Sequence, residues 1–347
     1  MIYFFILIFL VSCQNNSYKN DDLKFIYNQI HENHPGIFNY NDPSFRKNLE
    51  LNYSEAQKAI SQTADITRHK QIIKTFTCRF NDTHLSVHWF DEINNAPVSK
   101  LFQISNFYKN SVWITLPTFN LNEKQQKEFI LILDSLKSLR KKDIIIFDLK
   151  GNQGGNSDYG SQIINKLFGE NYSEYKRNLA NKDVYIDWRV SPGNLEYLKN
   201  IYHQYKFPFL KKIREGLEQN LAKNEPYYRE VLFDRSLANG ILLPNPIKVK
   251  IIVIIDEKNV SAALDFIDEL KIMSSNVILI GKTTKADRLY MEVRTVKLPS
   301  NSGIFSFPIK VYRNRVRGDN EPYVPDFEMD AENTSKLEKF IIRAFYL

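Results

Sequence analysis

Two short runs of almost unbroken β-branched sequence, Asp143-Ile-Ile-Ile-Phe-Asp148 and Lys248-Val-Lys-Ile-Ile-Val-Ile-Ile255, constrain this chain more than any other feature. A strand that is apolar on both faces is stable only between two covering layers, as in a parallel sheet flanked by helices. Each run ends in a turn: Gly151-Asn-Gln-Gly-Gly155 after the first, Asp256-Glu-Lys-Asn259 after the second. Helical spacing follows both times, from Ser157 to Phe168 and at Ala263, Phe266, Ile267, Leu270 and Met273. Val277 to Gly281 adds a third strand. Repeated strand–turn–helix units give an α/β core.

The remaining chain divides around this core. Asp22 to Phe80 has helical spacing and forms an N-terminal helical subdomain over 22–82, with helices from Asp22, over Pro43–Ile60 and after Thr67. The core then covers 83–347. Leu85–Phe90 and Ser111–Leu116 are strand-like, Leu121–Leu139 is helical, and 169–245 is a Tyr-rich, helix-leaning insertion. Val293 to Asp330 is strand-like, and Ser335–Tyr346 closes the chain as a helix. With 43% apolar residues, 25% charged residues, 24 Phe and 19 Tyr, the chain has the composition of a globular protein. Its net charge of +7 is spread thinly, without a basic stripe, so nucleic acid is not an expected partner.

Met1 to Val11 is almost wholly apolar, with no Lys or Arg before it, and then turns polar. Such a run is too short to span a bilayer and suits a signal-peptide core over 1–12. Leu10-Val-Ser-Cys13 is similar to a bacterial lipobox. That resemblance implies lipidation at Cys13, a tether over 13–21, membrane attachment through the lipid and a place in the cell envelope outside the cytoplasm. Cys78 is the one other cysteine, so no internal disulfide forms. Phe76-Thr-Cys-Arg-Phe80 has the pattern of packed structure rather than of a nucleophile.

Four separated segments carry side chains suited to hydrolysis. Asn81-Asp-Thr-His84 supplies a histidine, able to accept a proton near neutral pH. Asp148–Gly155 supplies a glycine turn with bare amides, and Asn259-Val-Ser-Ala-Ala263 a hydroxyl beside helix N-terminal amides. Gly318-Asp-Asn-Glu-Pro-Tyr-Val-Pro-Asp326 supplies loop carboxylates. Taken alone, Ser261 is more simply a helix N-cap. His84 with His88, and His31 with His34, lack a third ligand at useful spacing, so no metal site is expected.

In this order the segments resemble the S41 serine peptidases, the family of carboxyl-terminal processing and tricorn core proteases. His34-Pro35-Gly36, Asn81–His84, Asp148–Gly155, Val260-Ser-Ala-Ala263 and Tyr323-Val-Pro-Asp326 match the family's motifs. The resemblance implies a spiral α/β core of ClpP/crotonase type and Ser261 as nucleophile. It also implies Gly154, Gly155 and Ala262 as the oxyanion hole, with no metal or organic cofactor. The processing branch inserts a PDZ domain, for which Leu85–Lys142 is too short. In the Ser–Lys branch a lysine follows a Gly-x-x-Thr turn; Gly281-Lys-Thr-Thr284 matches the turn, but Asp287 stands where that lysine is expected. The tricorn-like branch implies His84 as base, Thr83 as its supporting hydroxyl, and Asp319, or failing that Glu321, as the orienting carboxylate. The implied substrate is a peptide or unfolded protein. A lipoprotein that binds peptides on this scaffold without turnover is the alternative. Arg313, Arg315 and Arg317 alternate, as in a charged edge strand or a clamp for a substrate carboxylate.

Overall fold

A computed structural model describes residues 21–93, 101–238 and 245–347. The expected signal peptide, Cys13 and nearly all of the expected tether lie outside those residues. In chain order the first elements are α1 (21–33), a 3-10 turn (Pro35–Phe38), α2 (Phe45–Ser61), α3 (Ile66–Cys78), β1 (Ser86–Trp89) and α4 (Phe90–Ile93). Then come β2 (Gln103–Asn106), β3 (Ser111–Thr115), α5 (Glu123–Leu139), β4 (Ile144–Asp148), α6 (Asp158–Phe168) and α7 (Glu170–Ala180). The middle of the chain forms β5 (Tyr185–Arg189), α8 (Pro192–Tyr205), α9 (Pro208–Ala222), β6 (Tyr227–Val231) and α10 (Arg235–Ala238). The rest comprises β7 (Lys250–Ile255), α11 (Ala262–Met273), β8 (Val277–Gly281), β9 (Tyr290–Lys297), β10 (Gly303–Arg313), β11 (Phe327–Glu328) and α12 (Thr334–Tyr346).

The chain forms two compact units, each discontinuous in sequence. Among the described residues, the first consists of 21–93, 184–231 and 288–315; the second consists of 101–183, 232–238, 245–287 and 316–347. The stretch 169–245, read from sequence as one insertion, is shared between them. Its α7 and α10 belong to the second unit, whereas β5, α8, α9 and β6 belong to the first.

The second unit is the α/β core. Its sheet has the order β11-β8-β7-β4-β3-β2, parallel throughout except for the antiparallel pair β2–β3. Alternate residues of each central strand feed opposite layers. Ile145, Phe147, Ile251, Val253 and Ile255 pack with α5, α6 and α11, while Ile144, Ile146, Ile252 and Ile254 pack with Leu337 and Ile341 of α12. Burial on both faces is the physical reason these strands read as unbroken apolar runs.

The first unit is an antiparallel sheet, β1-β10-β5-β6 with β9 also on β10, together with α1 to α3, α8 and α9. The 3-10 turn packs against β5 and β10. Arg313 ends β10 almost fully buried, donating to Asp187 Oδ2 at 2.9 Å and to Asn39 Oδ1 at 2.6 Å. Arg317, in the second unit, is buried among Asp265, Asp268 and Asp287. Neither is an edge charge or a free clamp. Asp187 lies 126 positions from Arg313 in the chain, so local alternation could not reveal the pairing.

Candidate active site

In the second unit, β4 and β7 are neighbours and parallel, so the loops that leave their carboxyl ends lie side by side. That end of a parallel sheet is where ligands generally bind. Asn259, fully buried, ties the loops together. Its Nδ2 donates to the carbonyls of Leu149 (2.6 Å) and Asn152 (3.1 Å), and its Oδ1 accepts from Asp256 N (2.8 Å). Asp256 Oδ2 accepts from Gly151 N at 2.7 Å, and Asn152 Nδ2 donates to Leu116 O at 2.9 Å. Burial pushes the Asp148 carboxyl up, and Lys150 beside it, at 3.5 Å, pulls it part of the way back.

Ser261 sits at the junction of β7 and α11 with φ 58° and ψ −127°, and its hydroxyl makes no helix-capping hydrogen bond. The N-cap reading therefore fails: the residue holds the cap position without doing a cap's work. Backbone in this region costs a non-glycine residue about 1–3 kcal/mol. The neighbours Val260, Ala262, Ala263 and Leu264 are buried while Ser261 is only partly so.

The glycine turn packs directly on this serine. A Cβ on Gly154 would lie 2.9 Å from Ser261 Cβ, 2.7 Å from Val260 O and 3.0 Å from Ala262 N. A Cβ on Gly155 would lie 2.2 Å from the Phe119 carbonyl, which accepts from Asn156 N at 2.8 Å while Phe119 N donates to Gly154 O at 2.9 Å. Gly154 N already donates to Asn152 Oδ1 at 2.9 Å. Its amide is thus engaged within the turn, and its part is to let the turn approach Ser261. Gly155 N has no hydrogen-bond acceptor among the described residues, and Ala262 N, as the first amide of α11, has none within the helix.

The turn after β8 also reaches the serine loop. Lys285 N donates to Asn259 O at 3.1 Å while the Lys285 side chain is exposed. Asp287, where the Ser–Lys branch would carry its base, is buried and paired with Arg317. Asp319 and Glu321 are exposed on the following loop, with Glu321 accepting from Gly318 N at 2.6 Å.

In the first unit, Asp82, Thr83 and His84 form the turn that enters β1. Thr83 is exposed, and its side chain has no hydrogen bond among the described residues. His84 is nearly buried, with Nδ1 3.6 Å from Asp82 Oδ1, which also accepts from His84 N at 2.9 Å. The other Asp82 oxygen lies 3.5 Å from His34 Nε2. Burial alone would push the Asp82 carboxyl up, but His34 and His84 outweigh it and hold the carboxyl far below the usual range. In the sequence Asp82 is one letter of a motif and His34 a marker of the family resemblance. Only an Asp-x-His spacing hinted that the carboxylate would face its own histidine.

A profile of peptidase family S41 matches residues 111–329, more than half the chain. The chain belongs to peptidase family S41. The matched segment contains Ser261, the glycine turn and the loop with Asp319; His34, Asp82 and His84 precede it. No curated protein matches the chain in sequence. Among solved structures, mature CPAF complexed with lactacystin is 11% identical, with coverage of 95% of this chain and 99% of that one and a TM-score of 0.63. A lipoprotein from Streptococcus agalactiae is 12% identical, with coverage of 93% and 96% and a TM-score of 0.51. At these identities the likeness is one of fold. No helix among the described residues is long and apolar enough to cross a membrane.

Proposed function

We propose that this chain is a serine peptidase that cleaves peptides or unfolded chain ends outside the cytoplasm, tethered through a lipid on Cys13. The observation that carries this reading is the strained Ser261 backbone, held with a glycine turn packed against its Cβ. A capping serine needs neither feature. Strained strand-to-helix turns that present a hydroxyl are one recurrent way of exposing a nucleophile.

In the reaction, Ser261 Oγ attacks the substrate carbonyl carbon and its proton passes to His84. The tetrahedral oxyanion takes hydrogen bonds from the N–H groups of Ala262 and Gly155, each such donor supplying about 3 kcal/mol. The carbon–nitrogen bond then breaks as His84 returns the proton to the leaving amine. Water, deprotonated by the same imidazole, releases the acyl group. Asp82 takes the orienting role that the family resemblance implied for Asp319 or Glu321, because its carboxylate already faces His84 Nδ1. Thr83 then has no part in the proton transfer.

Replacing His84 by Ala should lower hydrolysis of an unfolded polypeptide by about 10³-fold or more. Lys285→Ala should leave it near the wild-type rate, since the Lys285 side chain is exposed and only its backbone meets the serine loop. The opposite pattern would make lysine the base. Peptide binding with no turnover in any form would mark a ligand-binding lipoprotein instead.

A further inference from the structure

We propose that His34 is a positioning residue for this reaction: it locks the Asp82 carboxylate, which in turn fixes the ring of His84. The proposal rests on the assignment of His84 as base.

His34 precedes the 3-10 turn Pro35–Phe38, and its Nδ1 accepts a hydrogen bond from Gly36 N at 2.9 Å. An imidazole nitrogen that accepts carries no proton, so the neutral ring must hold its proton on Nε2. That nitrogen is the one facing Asp82 Oδ2 at 3.5 Å. The ring cannot easily turn away. It has no exposed surface, stacks on Phe45 at 4.6 Å and 11°, and meets the edge of Tyr290 at 4.8 Å.

Burial favours the neutral ring, with Asp82 opposing. The other charged groups around it, Asp42 and Arg288, pair with each other at 2.7 Å. A neutral His34 therefore acts on Asp82 as a directed donor rather than as a charge. Asp82 is buried, and a buried carboxylate without donors is strongly disfavoured. One of its oxygens faces the donor nitrogen of His34, and the other accepts from His84 N at 2.9 Å. The hydrogen bond at Oδ1 and the approach of His34 Nε2 to Oδ2, whose geometry is longer than a hydrogen bond at 3.5 Å, together restrain the carboxylate and keep Oδ1 near His84 Nδ1. The proton of His84 is then kept on Nδ1 and its Nε2 is left to act as base.

Two substitutions separate this role from a purely structural one. His34→Gln places an amide N–H close to the Nε2 position, keeping the donor to Asp82. His34→Asn places an oxygen close to the Nδ1 position, keeping the Gly36 bond and losing the donor. Both are assayed for kcat, KM and the pH profile of kcat/KM on an unfolded polypeptide. The ring proton of His34 is located by nitrogen-15 NMR of histidine-labelled wild-type protein.

Expected are kcat close to wild type for His34→Gln and a loss of about 10- to 100-fold for His34→Asn. In His34→Asn, KM should be unchanged and the acid limb of kcat/KM should move to lower pH, because a loosened Asp82 supports the imidazolium less. Equal activity in both variants, or equal loss in both, would overturn the proposal and leave the peptidase reading standing. A wild-type protein without turnover would sink the peptidase reading and this proposal with it. Should His34→Asn fail to fold, the NMR decides: a proton on Nε2 supports the lock, and one on Nδ1 refutes it.

Discussion

At φ 58° and ψ −127°, Ser261 occupies the mirror image of extended backbone, a region that glycine enters freely and a Cβ opposes. The hydroxyl is therefore held in place at the expense of stability, by the helix on one side and the buried β7 on the other. Two substitutions should divide these effects. Ser261→Gly relieves the strain and should raise stability by about 1 kcal/mol, whereas Ser261→Ala keeps its Cβ and should gain little. Thermal unfolding of the two variants beside the wild type measures the difference. Equal midpoints for the two would mean that the turn is not strained.

Among elements, the loops after β4 and β7 matter most, and they were the easiest to find in the sequence. Isoleucine and valine runs buried on both faces announced the strands, and the glycines and the return of helical spacing marked the turns. What holds the loops together was less visible, since Asn259 bonds to carbonyls 107 and 110 positions away. Asn259→Ala removes three buried hydrogen bonds at once. It should destabilise the protein by about 3 kcal/mol and slow acylation, as a lower denaturant midpoint and a reduced pre-steady-state burst would show. Full stability in this variant would mean that the loops are held by packing. Arg313 and Arg317 show the same blindness to distance, because alternation along a strand gives the pattern and a partner far along the chain gives the meaning. The strand β2 was missed altogether; its four residues, Gln-Ile-Ser-Asn, carry almost no apolar signal.

At the scale of the whole molecule, the chain crosses between its two units several times, a division no boundary in composition marks. The first unit carries a pH dependence of its own. His34 has a folded-state pKa below its ordinary 6.5, so its neutral form contributes stability that is fully present above that pH and is lost as pH falls below it. Asp82, depressed from 3.8, contributes stability present above its ordinary value and lost as pH falls further. Urea midpoints should therefore fall between pH 7 and pH 5 in the wild type and fall less in His34→Phe, while both decline below pH 4. Parallel curves from pH 7 to pH 5 would show that His34 does not titrate with unfolding.

The central claim is that Ser261 is an activated nucleophile, and reaction of the full chain with a fluorophosphonate probe, mapped by peptide mass spectrometry, tests it most directly. A single adduct on Ser261 is expected, absent in Ser261→Ala and formed at least about 100-fold more slowly in His84→Ala. An unmodified Ser261 in folded wild-type protein, or labelling indifferent to His84, would contradict it.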